Sequence, residues 1–115
     1  MLRGEIRLVD LDPALRGEAD KRRPAVIVSN DSANTTAARL GRGVVTVVPV
    51  TSNVGRLYPF QVLLAATETG LALDSKAQAE QVRSVSVERV TDKIGTVPPA
   101  LMLAIDDALR IHLGL

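Results

Sequence analysis

The sequence predicts a mostly β (α+β) fold, a small curled or barrel-like sheet covered by one C-terminal helix, and three observations carry that prediction. Short alternating or β-branched runs recur at Glu5–Leu11, Pro24–Ser29 and Val44–Val50. Irregular stretches rich in Gly, Asn, Ser, Thr and Pro separate them. A single amphipathic segment follows Pro98-Pro99. Short strands joined by loops and covered by one helix pack as a small barrel or curled sheet.

Taken in order, EIRLVDL (Glu5–Leu11) alternates as a half-buried strand does and stops at Asp12-Pro13, a turn signal. Asp12–Arg22 holds Pro, Gly and six charged residues, too polar for a core and too long for a tight hairpin, and reads as a mobile loop of the kind that carries function. Pro24–Ser29 is a strand buried on both faces, with Pro24 at its first position, where no ladder bond is lost. Asn30–Gly43 is polar and small, with a helical turn at Asn34–Leu40 capped by Asp31 or Ser32. Val44–Val50 (VVTVVPV) is the most strand-like run, ended by the turn residues Thr51–Gly55. Phe60–Leu64 and Glu80–Val87 are further strands, and Thr67–Gly70 is a loop. The last helix places Leu101, Ile105, Ala108, Leu109 and His112 at helical spacing, with Asp106 and Asp107 on the opposite face.

Composition bounds the function. The 115 residues correspond to one domain, expected to be soluble and cytoplasmic: no apolar stretch reaches a membrane span, and Arg3 and Glu5 interrupt the place of a signal peptide's apolar run. With 2% aromatics the core must be aliphatic, which favours additional burial against a partner, as in a dimer. No cysteine and one histidine leave no disulfide, thiol or zinc site. The net charge of +1 hides an asymmetry, because Arg16–Arg56 holds seven basic residues and three acidic ones. Such clustering makes a local positive field suited to phosphate.

Elimination narrows the chemistry further. A Ser-His-Asp or Cys-His arrangement would need His112, in the last turn of the final helix. Asp10, Asp12, Glu18, Asp74 and Glu80 show no spacing that singles out a catalytic carboxylate pair. Neither a P-loop nor GxGxxG occurs, so no nucleotide cofactor is expected. Two clusters remain. Lys21-Arg22-Arg23-Pro24 puts Arg23 where a charged loop enters a buried strand, a position that suits bidentate phosphate contact or an ion pair with Glu18 or Asp20. Thr51-Ser52-Asn53 follows Pro49-Val50 and either offers hydroxyls to a ligand or ends the strand in a turn.

These residues carry a resemblance. GEIRLVDLDP (Gly4–Pro13), a polar loop with Gly17-Glu18, RRPAVIVSN (Arg22–Asn30), VVPVTSN (Val47–Asn53), YPFQVLL (Tyr58–Leu64) and AEQVRS (Ala79–Ser84) occur in that order. The chain closely resembles the MazF/PemK family of toxin endoribonucleases, or mRNA interferases, from Gly4 to the C-terminal helix. Arg7 departs from the pattern, standing where many relatives carry an aromatic, usually Trp. The resemblance implies an SH3-like barrel with helical additions, a homodimer over residues 1–115, and metal-independent cleavage of single-stranded RNA at short sequences. It implies products with a 2′,3′-cyclic phosphate and a 5′-hydroxyl, inhibition of translation and growth, no cofactor, and a small MazE-like antitoxin with an acidic, disordered tail.

By the same resemblance Arg23 and Thr51 are catalytic, Glu18 is the candidate general base with water as the alternative, and Arg22 and Ser52 adjoin them on the RNA. Arg23 would donate two parallel hydrogen bonds to the non-bridging oxygens as negative charge grows there, and Thr51 would orient the scissile phosphate. The ribose 2′-hydroxyl is the nucleophile, which accounts for RNA over DNA. Asn53, Arg56 and Gln81 are candidates for contacts with unstacked bases. A same-fold toxin that poisons DNA gyrase through its C-terminal helix, without cutting nucleic acid, is the alternative. The RP motif and the VPVTSN run favour the nuclease.

Overall fold

The computed structural model describes residues 1–11 and 22–115, so the predicted loop lies, Arg22 apart, outside the described residues. Strand β1 (Glu5–Asp10) stands where predicted and pairs antiparallel with β2 (Arg22–Ile27), Ile6 facing Val26 and Val9 facing Arg23. Pro24 is therefore the third residue of its strand and not the first. It is tolerated because β2 there has only β1 beside it; the ladder to the next strand starts at Ala25. From Ala25 to Ile27 the strand has neighbours on both edges, and all three side chains are fully buried.

Helix α1 (Asp31–Leu40) is longer than the predicted turn at Asn34–Leu40, and its cap is neither Asp31 nor Ser32. Asn30 leaves β2 extended, and its side chain accepts the Ala33 N–H at 2.8 Å. Gly41, at φ +66°, closes the helix in the left-handed region that glycine adopts without strain. Asn34 is fully buried mid-helix: its amide donates to the Ser29 carbonyl at 2.8 Å and its Oδ1 accepts the Ser29 hydroxyl. Ser29 Oγ in turn accepts the Thr46 N–H at 3.0 Å, so this polar group links α1 to β3 and to the connection after β2 with its bonds made.

Strand β3 (Val44–Thr51) organises the sheet. One edge pairs with β2 over Val47–Pro49. The other pairs first with β6 (Arg83–Ser86) over Val44–Val47, then with β5 (Ser75–Gln78) at Val50 and Thr51. Pro49 falls in the gap between those two ladders, where that edge has no partner. β4 (Gln61–Leu64) extends the sheet beyond β5, and β7 (Val90–Thr96) lies on the far side of β1, giving the order β4-β5-β3-β2-β1-β7.

Several predicted boundaries are corrected. Glu80–Val87 is not one strand: a 3₁₀ turn (Ala79–Gln81), β6 and a second 3₁₀ turn (Val87–Arg89) divide it, so that the chain can cross from β5 to the other half of β3. Thr67–Gly70 lies largely within a short helix, α2 (Ala66–Thr69), whose Ala66 N–H is taken by Asp74 at 2.8 Å. β5 and β7 have no clear signature in SKAQ and VTDKIGT. The last helix, α3 (Pro99–Leu113), starts with proline at its first helical position and buries Met102, Ile105 and Ala108, while His112 is exposed. Asp106 turns inward to pair with Arg3; Asp107 pairs at the surface with Arg110 at 2.9 Å. No helix among the described residues is long and apolar enough to cross a membrane.

Two aliphatic cores result. One, under α3, gathers Ile6, Val26, Val48, Leu64 and Ile105; the other, beneath α1, holds Val9, Ala25, Ile27, Val45 and Val85. Burying each of the Val, Leu and Ile side chains contributes roughly 1.5–3 kcal/mol. The sheet is then curled into a barrel at Gly95: the Thr69 backbone of α2, which follows β4, lies so close to β7 that a Cβ on Gly95 would stand 2.5 Å from the Thr69 carbonyl oxygen. The helix that follows the first strand of the order thus packs on the last. Glu5 and Arg7 make a second tie, with Arg7 Nε 2.9 Å from Glu5 Oε1 and Arg7 Nη1 3.0 Å from the Thr91 carbonyl. Burial would raise the Glu5 carboxyl pKa, but the Arg7 hydrogen bond, a backbone bond from Leu2 and the Arg7 charge hold it below its ordinary value of 4.5.

Two outcomes are expected. Gly95→Ala should cost about 1–3 kcal/mol or more, as forced overpacking does, and lower the melting temperature; an unchanged melt would contradict closure at this contact. A depressed Glu5 pKa means that the unfolded chain binds the proton more tightly, so its stabilisation is present above pH 4.5 and is lost as pH falls through the lower folded value. Glu5→Gln should remove that acid-side slope in denaturant titrations at stepped pH, whereas an identical slope would show that another group carries it.

Candidate functional site

Arg23 and Thr51 come from strands 28 positions apart in sequence numbering and meet through register. The β2–β3 ladder ends at the Ala25–Pro49 pair, and Arg23 and Thr51 stand two residues beyond that pair on their own strands, each on the face of Ala25 or Pro49 by the period of two. Both line a cleft of about 530 Å³ with Ser52, Gln78 and the apolar walls Leu71 and Ile94. The cleft opens where the two strands part: β2 continues beside β1 alone, and β3 continues beside β5.

The chemistry of the two groups is complementary. Arg23 is exposed, and among the described residues no ion pair reaches its guanidinium, so a fixed positive charge with a planar donor fork faces the cleft. Glu18 and Asp20, the ion-pair candidates, lie outside the described residues, as does Glu18 as a candidate base. Thr51 Oγ1 accepts the Asn53 N–H at 3.2 Å. One lone pair is thereby occupied and the hydroxyl proton is left to donate to a ligand oxygen. Asn53 Oδ1 accepts the Gly55 N–H at 3.4 Å, so the hydroxyl cluster does form a turn as well. The arrangement can bind an anionic oxygen between a guanidinium and an alcohol.

Of the other predicted residues, Ser52 joins the cleft, whereas Arg22, Asn53, Arg56 and Gln81 are exposed and outside its lining. Arg22 faces Asp10 across the β1–β2 ladder and donates to Thr91 Oγ1 at 3.3 Å. Arg56 stands over the Tyr58 ring, 5.0 Å from its centroid. Gln81 sits in the 3₁₀ turn outside the cleft lining, and Gln78, three residues earlier, lines the cleft. Sequence reasoning missed Gln78 and Lys76 because β5 carries no apolar alternation. Lys76 is buried at 7% exposure, faces Thr51 across the β3–β5 ladder, and donates from Nζ to the Arg56 carbonyl at 2.5 Å. It ties the segment after Thr51 to the sheet. A second hollow, beside α1, is walled by Ala33, Ala37, Leu40 and Val44 and receives none of the predicted residues.

The chain matches, over residues 2–113, the family model described as a PemK-like, MazF-like toxin of type II toxin–antitoxin systems. It is 63% identical to the endoribonuclease MazF9 of Mycobacterium tuberculosis over 115 residues, covering all of this chain and 98% of that protein. It is 30% identical to the endoribonuclease EndoA of Bacillus subtilis over 114 residues, 98% of this chain and 94% of the relative. A solved mycobacterial endoribonuclease in complex with its cognate antitoxin superposes with a TM-score of 0.75 at 29% identity, covering 100% of this chain and 96% of that one.

Proposed function

This chain belongs to the PemK-like, MazF-like toxins of type II toxin–antitoxin systems, and we propose from that membership and from the cleft that it is a sequence-specific endoribonuclease acting on single-stranded RNA. The observation that carries the reading is the convergence of Arg23 and Thr51 on one cleft from two separate strands. The relatives are endoribonucleases by name, and one is solved with its antitoxin. The protein accordingly acts as a cytoplasmic toxin, a homodimer of one domain over residues 1–115, that slows translation and growth until a MazE-like antitoxin binds it.

The reaction needs only this chain's groups and the substrate's own hydroxyl. The ribose 2′-oxygen attacks the adjacent phosphorus as its proton leaves, the bond from phosphorus to the 5′ oxygen breaks, and that oxygen takes up a proton. A 2′,3′-cyclic phosphate and a 5′-hydroxyl remain. Negative charge rises on the non-bridging oxygens, where the Arg23 fork donates two hydrogen bonds that are fixed before the reaction begins. Thr51 donates its hydroxyl proton to the same phosphate and holds it in line, positioned by the bond it accepts from Asn53. Glu18 is the base that receives the 2′ proton, a role carried over from the resemblance. Ser52 and Arg22 bind the flanking phosphates, and Asn53, Arg56 and Gln81 meet the bases.

Arg23→Ala and Thr51→Ala should each lower cleavage of a long single-stranded transcript by ~10² to 10³, the usual effect of losing one preorganised donor. Their melting temperatures should stay near wild type, since neither side chain is buried in a core. Wild-type rates in both would remove the site assignment. Excess chelator should leave the rate unchanged and end-group analysis should find the cyclic phosphate; loss of activity on chelation would overturn the metal-independent route.

A further inference from the structure

We propose that the guanidinium of Arg56, carried on a stack formed by Tyr58 and Phe60, is a plate on which one base of the single-stranded RNA stacks beside the Arg23–Thr51 cleft. The inference rests on the RNA reading above and adds to it a mode of base contact. The chain has one tyrosine, one phenylalanine and no tryptophan. In an aliphatic core this poor in large side chains, burying a ring is the ordinary use of an aromatic. Here both rings stand instead in the connection from β3 to β4, stacked on each other with centroids 5.3 Å apart and planes within 6°. Tyr58 remains 39% exposed. Arg56 caps the column, its guanidinium carbon 5.0 Å from the Tyr58 centroid.

The column is anchored from below and open above. Lys76 Nζ holds the Arg56 carbonyl, Gln61 Oε1 accepts the Tyr58 N–H at 3.2 Å, and the Phe60 carbonyl accepts the Ala79 N–H at 3.2 Å. Gln61 is itself fixed by Glu80 at 2.8 Å. Because Lys76 faces Thr51 across the β3–β5 ladder, this anchor sets the column beside the strand end that supplies the cleft's hydroxyl. The Arg56 side chain is exposed, and among the described residues no carboxylate pairs with it. A planar, weakly hydrated cation resting on a ring offers its free face to another flat π-system, and unstacked bases bind guanidinium planes in this way. An acidic polypeptide would use the charge of Arg56 without requiring its plane.

The experiment uses the full chain and its single tyrosine, whose emission reports on this column alone. Single-stranded oligodeoxyadenylate, which lacks the 2′-hydroxyl and is not cut, should quench that emission on binding. Arg56→Ala and Arg56→Lys should both weaken binding by about tenfold, within the range for loss of one base stack. Lysine keeps the charge and loses the plane. On a long single-stranded RNA the same variants should lose a similar factor in kcat/KM while keeping kcat, with melting temperatures unchanged. Arg56→Lys binding and cutting like wild type would overturn the stack and leave only a charge contact. Quenching by polyglutamate but not by oligodeoxyadenylate would assign the face to an acidic polypeptide and overturn it as well. Wild-type protein that neither binds nor cuts single strands would overturn the nuclease reading together with this one, whereas intact wild-type cleavage confines a failure to Arg56.

Discussion

Strand β3 is divided between two ladders on a single edge, and the rest of the molecule follows from that division. Its first half belongs with β6 and its second with β5, while β2 holds the opposite edge across the middle. Three partners thus share one strand, β6 and β5 taking successive stretches of the same edge. Pro49 at the change-over removes a donor where one edge has no ladder to join. Two consequences converge on function. Beyond Ala25 and Pro49 the strands β2 and β3 follow different partners, which opens the cleft with Arg23 on one lip and Thr51 on the other. The curl also brings α2 against Gly95, where the absence of one Cβ lets the two backbones approach.

Three of the described arginines are paired with carboxylates. Arg3 meets Asp106, Arg7 meets Glu5, and Arg110 meets Asp107. Such pairs contribute little at a surface, and breaking one costs more where, as at Glu5, the partner is buried and hydrogen-bonded. Arg7 is the informative member of this group. Its guanidinium binds Glu5 and the Thr91 carbonyl, tying β1 to β7 by polar contacts. Arg23 and Arg56 are exposed and without a carboxylate among the described residues, as are Arg39, Arg42 and Arg83 elsewhere on the surface. Cations held on rigid elements with their donors uncommitted are the groups able to answer an incoming phosphate or base.

Polar groups beneath Arg56 hold its segment in place. Buried Lys76 and Gln61, with half-buried Glu80, lie under the segment after Thr51. Each binds a backbone atom or another buried side chain, so loops that carry exposed functional residues are fastened from within. A phosphate contact depends on that fastening, because a donor displaced by even a small distance loses most of its effect on a reacting group.

Residue pattern was enough to place β1, the apolar body of β2, β3 and α3. In those segments a period of two or of 3.6 is imposed by burial on a known face, and turn residues or prolines mark the ends. It was also enough to single out Arg23 and Thr51, through the strings that carry the family resemblance. β5 and β7 were not legible, since SKAQ and VTDKIGT are made strands by the neighbours they pair with and show no apolar period of their own. The full length of α1 was hidden for a related reason: Asn34 is a poor helix-interior residue until Ser29, brought near by the turn, satisfies its amide. Local chemistry thus determined which residues were available for strands, turns and phosphate contact. Only the tertiary structure decided that Arg23 and Thr51 share a cleft and that Gln78, not Gln81, faces it, because those adjacencies arise from strand register, a relation between distant segments that no local pattern encodes.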